Sequence, residues 1–248
     1  MDIHSELPPE IEACAPDNYL YPEQDYALGF ISRGCPRKCP WCVVPRKEGG
    51  LRRVSTSPEI VGNYKRAVFL DNNFLALPDC QVDLDWLAQN KISVDFNQAL
   101  DARLVTPEIA KLLARVKWYP NLRLSLDSDG MLGQVKTALD NLQAAGVAPS
   151  TVRIFTLIGF SGFASDVQRL SKIHAWGSAP FPMGYRDNDT GLEPARGWNL
   201  KLYRKYRRLL VRLPMAKSVW ADFERDVTRA RSIPAPEKPT LDKQGALI

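Results

Sequence analysis

Three cysteines lie within eight residues of one another, as Cys35, Cys39 and Cys42 in the stretch GCPRKCPWC. A structural zinc site normally takes four protein ligands, usually as two close pairs. The two histidines, at positions 4 and 174, and the other cysteines, at positions 14 and 80, are distant in sequence. Three thiolates without a fourth partner suit a [4Fe-4S] cluster in which one iron is left open for a substrate or cofactor. We therefore predict an iron-sulfur site with these three ligands.

The composition is that of an ordinary globular protein. The 248 residues are 45% hydrophobic and 25% charged, and the net charge of +5 is too mild to identify a partner. No apolar run approaches the roughly 18 residues that a membrane span needs. The acidic, polar start MDIHSELPPE is unlike a secretory signal. Because five cysteines, three of them clustered, do not suggest a disulfide framework, we expect a cytoplasmic protein without membrane association.

Short β-rich runs alternate with amphipathic segments from about residue 26 onward. Ser57-Pro58-Glu59 and Thr106-Pro107-Glu108 each combine a capping residue, a proline and an acid, which is typical of a helix start. The alternation predicts an α/β fold, a partial (β/α)6 TIM-like barrel with parallel strands, in which functional residues follow the strands. The predicted strands are 27–32, 67–70, 92–96, 122–126, 152–158 and 181–185.

These elements predict four parts of the chain. We expect a short N-terminal extension (1–25), a barrel core (26–186), a loop with a basic C-terminal helical extension (187–231) and a flexible tail (232–248). The cysteines directly follow the first predicted strand, where an α/β sheet presents its functional loops.

The cysteine spacing, with Trp41 before the last cysteine, resembles the cluster loop of the radical S-adenosylmethionine (radical SAM) superfamily. The resemblance implies a [4Fe-4S] cluster whose unique iron binds SAM through its amino and carboxylate groups. It also implies reductive cleavage of SAM to a 5′-deoxyadenosyl radical that abstracts hydrogen from a substrate. An external flavodoxin- or ferredoxin-like protein would supply the electron. Basic residues around the loop, with Glu48 the only acid, would stabilise the reduced cluster, although a solvated basic loop explains each one equally well.

Polar and small residues at the ends of the later strands match positions where this superfamily contacts SAM. The match after the second strand is approximate, because a Gly-Gly-Glu motif is absent. An arginine after the third strand suits a carboxylate, since its fork donates two parallel hydrogen bonds. The alternative for each aspartate is a helix cap. The residues that the resemblance assigns to the cofactor are Trp41, Asp71, Asn72, Asn73, Gln98, Asp101, Arg103, Asp127, Gly159 and Met183.

The order DNNF, FNQALDARL, LSLDS, TLIGF and FPMGYRD most resembles radical SAM cores of the cobalamin-dependent and methylthiotransferase-like enzymes. Only 25 residues precede the first strand, too few for a cobalamin domain of roughly 100 residues. Cys14 and Cys80 are expected to be free buried thiols rather than ligands of a second cluster. We therefore expect direct hydrogen abstraction that leads to isomerisation, carbon–carbon bond formation or rearrangement.

The substrate is indicated only by basic and aromatic residues near the end of the barrel. Tyr185 and Arg186 are predicted to contact it. Residues 201–212 form a predicted helix with Leu202, Tyr206, Leu209 and Leu213 as its apolar stripe, and a surface helix is the simpler interpretation. Alternatively its basic face binds phosphates while a tyrosine or Trp198 stacks on a base. A modified base in phage DNA is then the expected substrate. A small metabolite, or a non-catalytic iron-sulfur protein that binds nucleic acid or senses redox state, remains an alternative.

Overall fold

The computed structural model describes Pro8, Leu20, Tyr21 and residues 23–231, so Cys14 and the predicted tail lie outside the described residues. The strands are β1 (Ala27–Gly29), β2 (Ser32–Arg33), β3 (Arg52–Arg53), β4 (Arg66–Phe69), β5 (Ser93–Phe96), β6 (Lys117–Trp118), β7 (Leu122–Ser125), β8 (Val152–Ile158) and β9 (Ala179–Gly184). The helices are α1 (Val44–Lys47), α2 (Ser57–Val61), α3 (Cys80–Gln89), α4 (Pro107–Arg115), α5 (Leu132–Ala144), α6 (Phe163–Ala175), α7 (Leu200–Arg212) and α8 (Lys217–Arg231).

Among the described residues, seven parallel strands in two sheets form an open barrel, which confirms the predicted fold class; the two-residue β6 is additional to the six predicted strands. One sheet has the order β1-β4-β5-β6 and another the order β7-β8-β9. Leu100, just beyond β5, bridges Leu124 of β7 and joins the two sheets. Because all these neighbours are parallel, the carboxyl ends of β1, β4, β5, β7, β8 and β9 meet at one rim. No strand among the described residues connects β1 with β9, so the barrel is open on that side.

The helix starts follow local sequence closely. At α2, the carboxylate of Glu59 accepts the N–H of Thr56 at 2.8 Å in a capping box, so the cap lies one residue before the predicted start. At α4, the hydroxyl of Thr106 accepts the N–H of Ile109 at 3.3 Å. In the described part of the chain, no helix combines the length and apolar character that crossing a membrane requires.

Helices α7 and α8 pack on α6 through a second apolar core. Tyr203, Tyr206 and Leu210 of α7 are buried, whereas Leu213 is 52% exposed. Of the predicted apolar stripe, Tyr206 is buried in this core and Leu202 and Leu209 pack against it, whereas Leu213 does not, because the helix ends at residue 212. The ring of Tyr206 meets that of Phe223 in α8 at 4.9 Å. The sequence did not predict α8 separately within the helical extension.

Candidate functional site

A two-stranded ribbon, which the sequence did not predict, closes the base of the cysteine loop. The predicted first strand stops early because Ser32–Arg33 turns out of the barrel as β2 and pairs antiparallel with Arg52–Arg53. Gly34 follows with a φ of +77°, and a Cβ there would lie 2.2 Å from the carbonyl oxygen of Gly50. Only glycine accepts both the left-handed backbone and this close approach. The three cysteines therefore project on a closed loop beyond the carboxyl end of β1.

Glu48 ties this loop to the end of β4. Its carboxylate accepts the N–H of Gly34 and the side-chain amide of Asn72, both at 2.8 Å. The guanidinium of Arg33 lies 3.6 Å from the other carboxylate oxygen. Sequence reasoning treated Glu48 only as the single acid among bases. The sequence signal for the role of Glu48 was that it is the one acid in a basic loop, where a carboxylate can accept hydrogen bonds and form ion pairs with several neighbours.

The three cysteines of the loop carry free, half-exposed thiols. Cys39 and Cys42 line an open cavity of about 570 Å³. The sulfur of Cys35 accepts hydrogen bonds from the backbone N–H of Arg37 and the side-chain amide of Asn73, both at 3.4 Å. The donors around Cys35 suit a thiolate, because hydrogen bonds to the charged form favour it.

The thiols also influence one another electrostatically. Burial raises the pKa of Cys39 and of Cys42, and Cys35 and Asp127 raise both further, while Arg103 lowers that of Cys39 and a backbone hydrogen bond at Val44 lowers that of Cys42. Within the described ranges, no three His, Cys, Asp or Glu side chains are arranged around a single metal ion. A cuboidal cluster does not require such convergence, since each thiolate binds a different iron. Three free thiols at one rim therefore fit a cluster better than a lone ion.

Asp101 connects the cysteine loop to the rim of β5. Its carboxylate accepts hydrogen bonds from Nε of Arg37 at 3.1 Å, from Asn73 at 3.2 Å, and from the guanidinium of Arg103 at 2.6 and 2.9 Å. Burial favours a raised pKa for Asp101, but the hydrogen bonds and charges of these arginines outweigh it and hold the pKa below its ordinary value. Gln98, which was grouped with this pair, is exposed and joins none of these contacts.

Both carboxylate oxygens of Asp71 accept hydrogen bonds from residues within the protein. It is 2% exposed and accepts hydrogen bonds from the backbone N–H of Ile31 at 3.1 Å and from the N–H and hydroxyl of Ser32 at 2.5 and 2.6 Å. Burial raises the pKa of Asp71 to about 6 although these donors lower it. The contacts give Asp71 a positioning role: it fixes the point where the chain leaves β1 for β2.

Asn73 leaves one atom without a partner at this rim. The residue is 3% exposed, and its amide nitrogen contacts Cys35 and Asp101. Its Oδ1 is buried and accepts no hydrogen bond within the described structure. Because an unpaired buried acceptor is costly, a donor on a bound molecule would fit here.

Asp127 lies half-buried at the carboxyl end of β7 and accepts the N–H of Leu157 at 3.0 Å. Burial raises its pKa to about 6, against the effects of that hydrogen bond and of the charges on Arg169 and Arg103. Asp127 also influences the pKa of Cys39 and lies on the same rim. The structure therefore brings Asp101, Arg103 and Asp127 toward the cysteines.

Gly159 and Met183 are not among the residues that line the cavity of Cys39 and Cys42. Gly159 donates its N–H to Asp166 at 2.6 Å and accepts the N–H of Arg196 at 3.0 Å, so its backbone serves the fold. Its φ is +87°, and a Cβ there would meet Tyr203 at 3.3 Å. Met183 lines a second cavity beside α7 and is not among the residues around Cys39 and Cys42.

An aromatic row borders the cysteine cavity. Trp41 meets the edge of Phe160 at 5.4 Å, and Phe160 meets Tyr185 at 4.8 Å. The guanidinium of Arg196 lies 5.0 Å from the ring of Phe160. Sequence reasoning had named Trp41 and Tyr185 but missed Phe160 and Arg196, for which the chain offers no spacing signal.

The segment after β9 reaches across to the cysteine loop. Asn188 donates to the carbonyl of Trp41 at 3.3 Å, and Asp189 pairs with Arg46 at 3.1 Å. The predicted substrate contact Arg186 is exposed and lies 3.6 Å from Glu193.

Two further residues that the sequence singled out are structural. Trp198 is 7% exposed and donates its indole N–H to Asp166 at 2.7 Å, so the expectation that it stacks on a base is wrong. Cys80 is 3% exposed, as expected of a free buried thiol, and burial raises its pKa to about 11.

The fold has counterparts among solved structures. The chain is similar to Streptococcus suis SuiB bound to S-adenosylmethionine, with a TM-score of 0.53 and 14% sequence identity over 84% of this chain and 48% of that chain. It is equally similar to SuiB bound to the precursor peptide SuiA, with a TM-score of 0.53 and 13% identity over 85% and 48%. The chain thus spans about half the length of the structures it matches. No protein-family model and no curated protein matches the chain. At this identity the likeness shows the fold.

Proposed function

We propose that this chain is a radical SAM enzyme that holds a [4Fe-4S] cluster on Cys35, Cys39 and Cys42. The observation that carries the proposal is the position of three free thiols, spaced three and two residues apart, at the carboxyl rim of an open parallel barrel. The likeness of the fold to SAM-bound SuiB supports it. When bound, the reduced cluster supplies the electron that cleaves SAM, so that a substrate hydrogen can be abstracted.

The neighbouring residues have distinct roles in this proposal. Arg37 and Arg103 place positive charge beside the thiolates and are held by Asp101, which favours a cluster whose negative charge grows on reduction. The unpaired Oδ1 of Asn73 suits the amino group of SAM. Asp127 is a further rim carboxylate for polar groups of SAM, whereas the contacts of Asp71 suit a role in holding the loop.

For the reaction itself we propose isomerisation or rearrangement of a modified nucleotide base in DNA. The core would be of the cobalamin-dependent or methylthiotransferase-like type, working in the cytoplasm with a flavodoxin- or ferredoxin-like electron donor. Tyr185, which lines the cavity with Cys39 and Cys42, would contact the substrate. A peptide is the second candidate substrate, because a matching SuiB structure contains a precursor peptide.

The test is anaerobic cleavage of SAM. The full chain is reconstituted with iron and sulfide, then given SAM and dithionite with and without single-stranded DNA, and 5′-deoxyadenosine is measured by mass spectrometry. We expect the nucleoside to form and DNA to stimulate its formation. An intact cluster that yields no 5′-deoxyadenosine would instead support a non-catalytic iron-sulfur protein.

Two cysteine variants separate the cluster ligands from other thiols. Cys39→Ala removes a proposed ligand, so we expect iron content and nucleoside formation to be lost. Cys80→Ala removes a thiol buried in the core, and both quantities should stay near those of the unchanged protein. Full iron content in Cys39→Ala would show that the cluster assignment is wrong.

A further inference from the structure

Helix α7 lies beside β9, the last strand before the open side of the barrel. Arg204, Arg208 and Arg212 follow one another at intervals of four residues, which places them on one face of the helix about 6 Å apart along its axis. All three are exposed, and none forms an ion pair within the described ranges. A cavity of about 520 Å³ opens between this face and β9, lined among others by Phe181, Met183, Arg204, Arg207, Arg208 and Arg212.

A fourth arginine of α7, Arg207, lies beside this row and is held against the end of β9. Arg207 is held by Glu193 at 2.5 Å and approaches Gly184 so closely that a Cβ there would lie 2.8 Å from the guanidinium. The hydroxyl of Tyr203 also lies against Gly184. This hydroxyl is buried and has no hydrogen-bond partner in the described structure. An anionic oxygen beside Arg207 would give this hydroxyl an acceptor. Gly184 directly precedes Tyr185, which lines the cysteine cavity, so the row leads toward the proposed active site.

The free edge of β9 is unsuited to pairing with an extended peptide. The N–H of Tyr185 donates to the carbonyl of Ile158 in β8. Because the direction of the backbone N–H alternates along a strand, the N–H groups of residues 183, 181 and 179 also face β8. The alternate positions face outward, and two of them are Pro180 and Pro182, which have no N–H. Strand addition requires a series of main-chain hydrogen bonds that these prolines cannot donate. The edge therefore disfavours a peptide and leaves the arginines as the groups that bind.

We infer that the arginine face of α7 and the cavity beside β9 form a docking surface for the sugar-phosphate backbone of single-stranded nucleic acid. Arginine forks donate two parallel hydrogen bonds to a phosphate, and their regular spacing suits a repeating anionic charge. A single strand is required because a radical formed inside the barrel cannot reach a base stacked in a duplex. The inference rests on the proposed function for its substrate class, but the binding it describes is independent of SAM cleavage.

The test is binding of a fluorescein-labelled single-stranded DNA 20-mer to the full chain, measured by anisotropy over a range of salt concentrations. The variant Arg204→Gln/Arg208→Gln/Arg212→Gln removes the three unpaired arginines. Each lost phosphate contact lowers the salt slope by about 0.7, so the triple variant should lose about 2 from the slope and bind roughly a hundredfold more weakly at 0.1 M salt. A labelled polyglutamate peptide of equal charge serves as the acidic-peptide probe.

A matched control separates this surface from net charge. Lys111→Gln/Lys117→Gln/Lys172→Gln removes the same charge from exposed lysines on α4, β6 and α6, and should weaken binding by less than about threefold. Melting curves verify that both variants fold. Equal losses in the two variants, tighter binding of the peptide, or binding independent of salt would each overturn the inference. DNA binding by this surface without 5′-deoxyadenosine formation would refute the proposed function alone, and the reverse result would refute the docking surface alone.

Discussion

Replacing Gly34 by alanine should open the base of the cysteine loop. An alanine at a φ of +77° costs roughly 1–2 kcal/mol from backbone strain. Its Cβ would lie 2.2 Å from the carbonyl oxygen of Gly50, far inside the roughly 3.5 Å of ordinary contact. The backbone must therefore shift, which breaks the bonds from Cys35 N–H to Gly49 and from Gly34 N–H to Glu48. At about 1 kcal/mol each, the total cost is about 3–4 kcal/mol.

Gly49→Ala is the matched control. Gly49 has a similar φ of +71°, but a Cβ there would have no neighbour within 4 Å. It should therefore cost only the backbone strain, about 1–2 kcal/mol. The assays are urea unfolding of the apoprotein and iron per chain after reconstitution. Gly34→Ala should be the less stable of the two and should hold less than about half the iron, given the extra steric cost. Equal stability and equal iron in the two variants would refute the role given to the close approach at Gly34.

Two further predictions concern buried charges. Because the pKa of Asp71 is raised to about 6 in the folded protein, its contribution to stability is present below about pH 4 and is lost as pH rises through 6. Urea unfolding between pH 4 and 7 should show this decline, and Asp71→Asn should flatten it; an unchanged pH profile would contradict the assignment. Arg169 is fully buried with its guanidinium on Asp166 and Asp129, so Arg169→Met should cost about 3–5 kcal/mol because the buried carboxylate of Asp166 loses its cationic partner. A cost under 1 kcal/mol in urea unfolding would show that the hydrogen bonds from Gly159 and Trp198 are enough to stabilise the buried Asp166.

The barrel was predictable because its signals are local. Most of the parallel strands are short apolar runs, and the starts of α2 and α4 combine a cap with a proline and an acid, so neither signal needs knowledge of distant residues. The place of the three cysteines at the rim was predictable for the same reason, since they lie within eight residues directly after a predicted strand. The exposure of Leu213 and the packing of α7 on α8 were not, because they depend on where the helix ends and on the contact of Tyr206 with Phe223.

The surroundings of the cysteines could be predicted only in part. Asp101 and Arg103 were named together, and they do form a bidentate pair. Asp71 was matched to SAM by its place after a strand, but its oxygens bind Ile31 and Ser32, whose position depends on an unpredicted ribbon. A residue's place at a strand end is thus readable from sequence, whereas the partner that takes its hydrogen bonds is set by long-range packing.

The hydrogen bond between Arg37 and Asp101 spans 64 residues of sequence, and that between Ser32 and Asp71 spans 39. On a ribosome that adds roughly 5–20 residues per second, Asp101 is made about 3–13 s after Arg37. The cysteines are thus synthesised early, but the contacts that arrange them form only after β4 and β5 exist. During that interval the thiols are open to oxidation and to stray metals. Assembly of the proposed cluster would therefore be a late event of biogenesis, and its yield in cells should depend on how quickly the first half of the barrel closes.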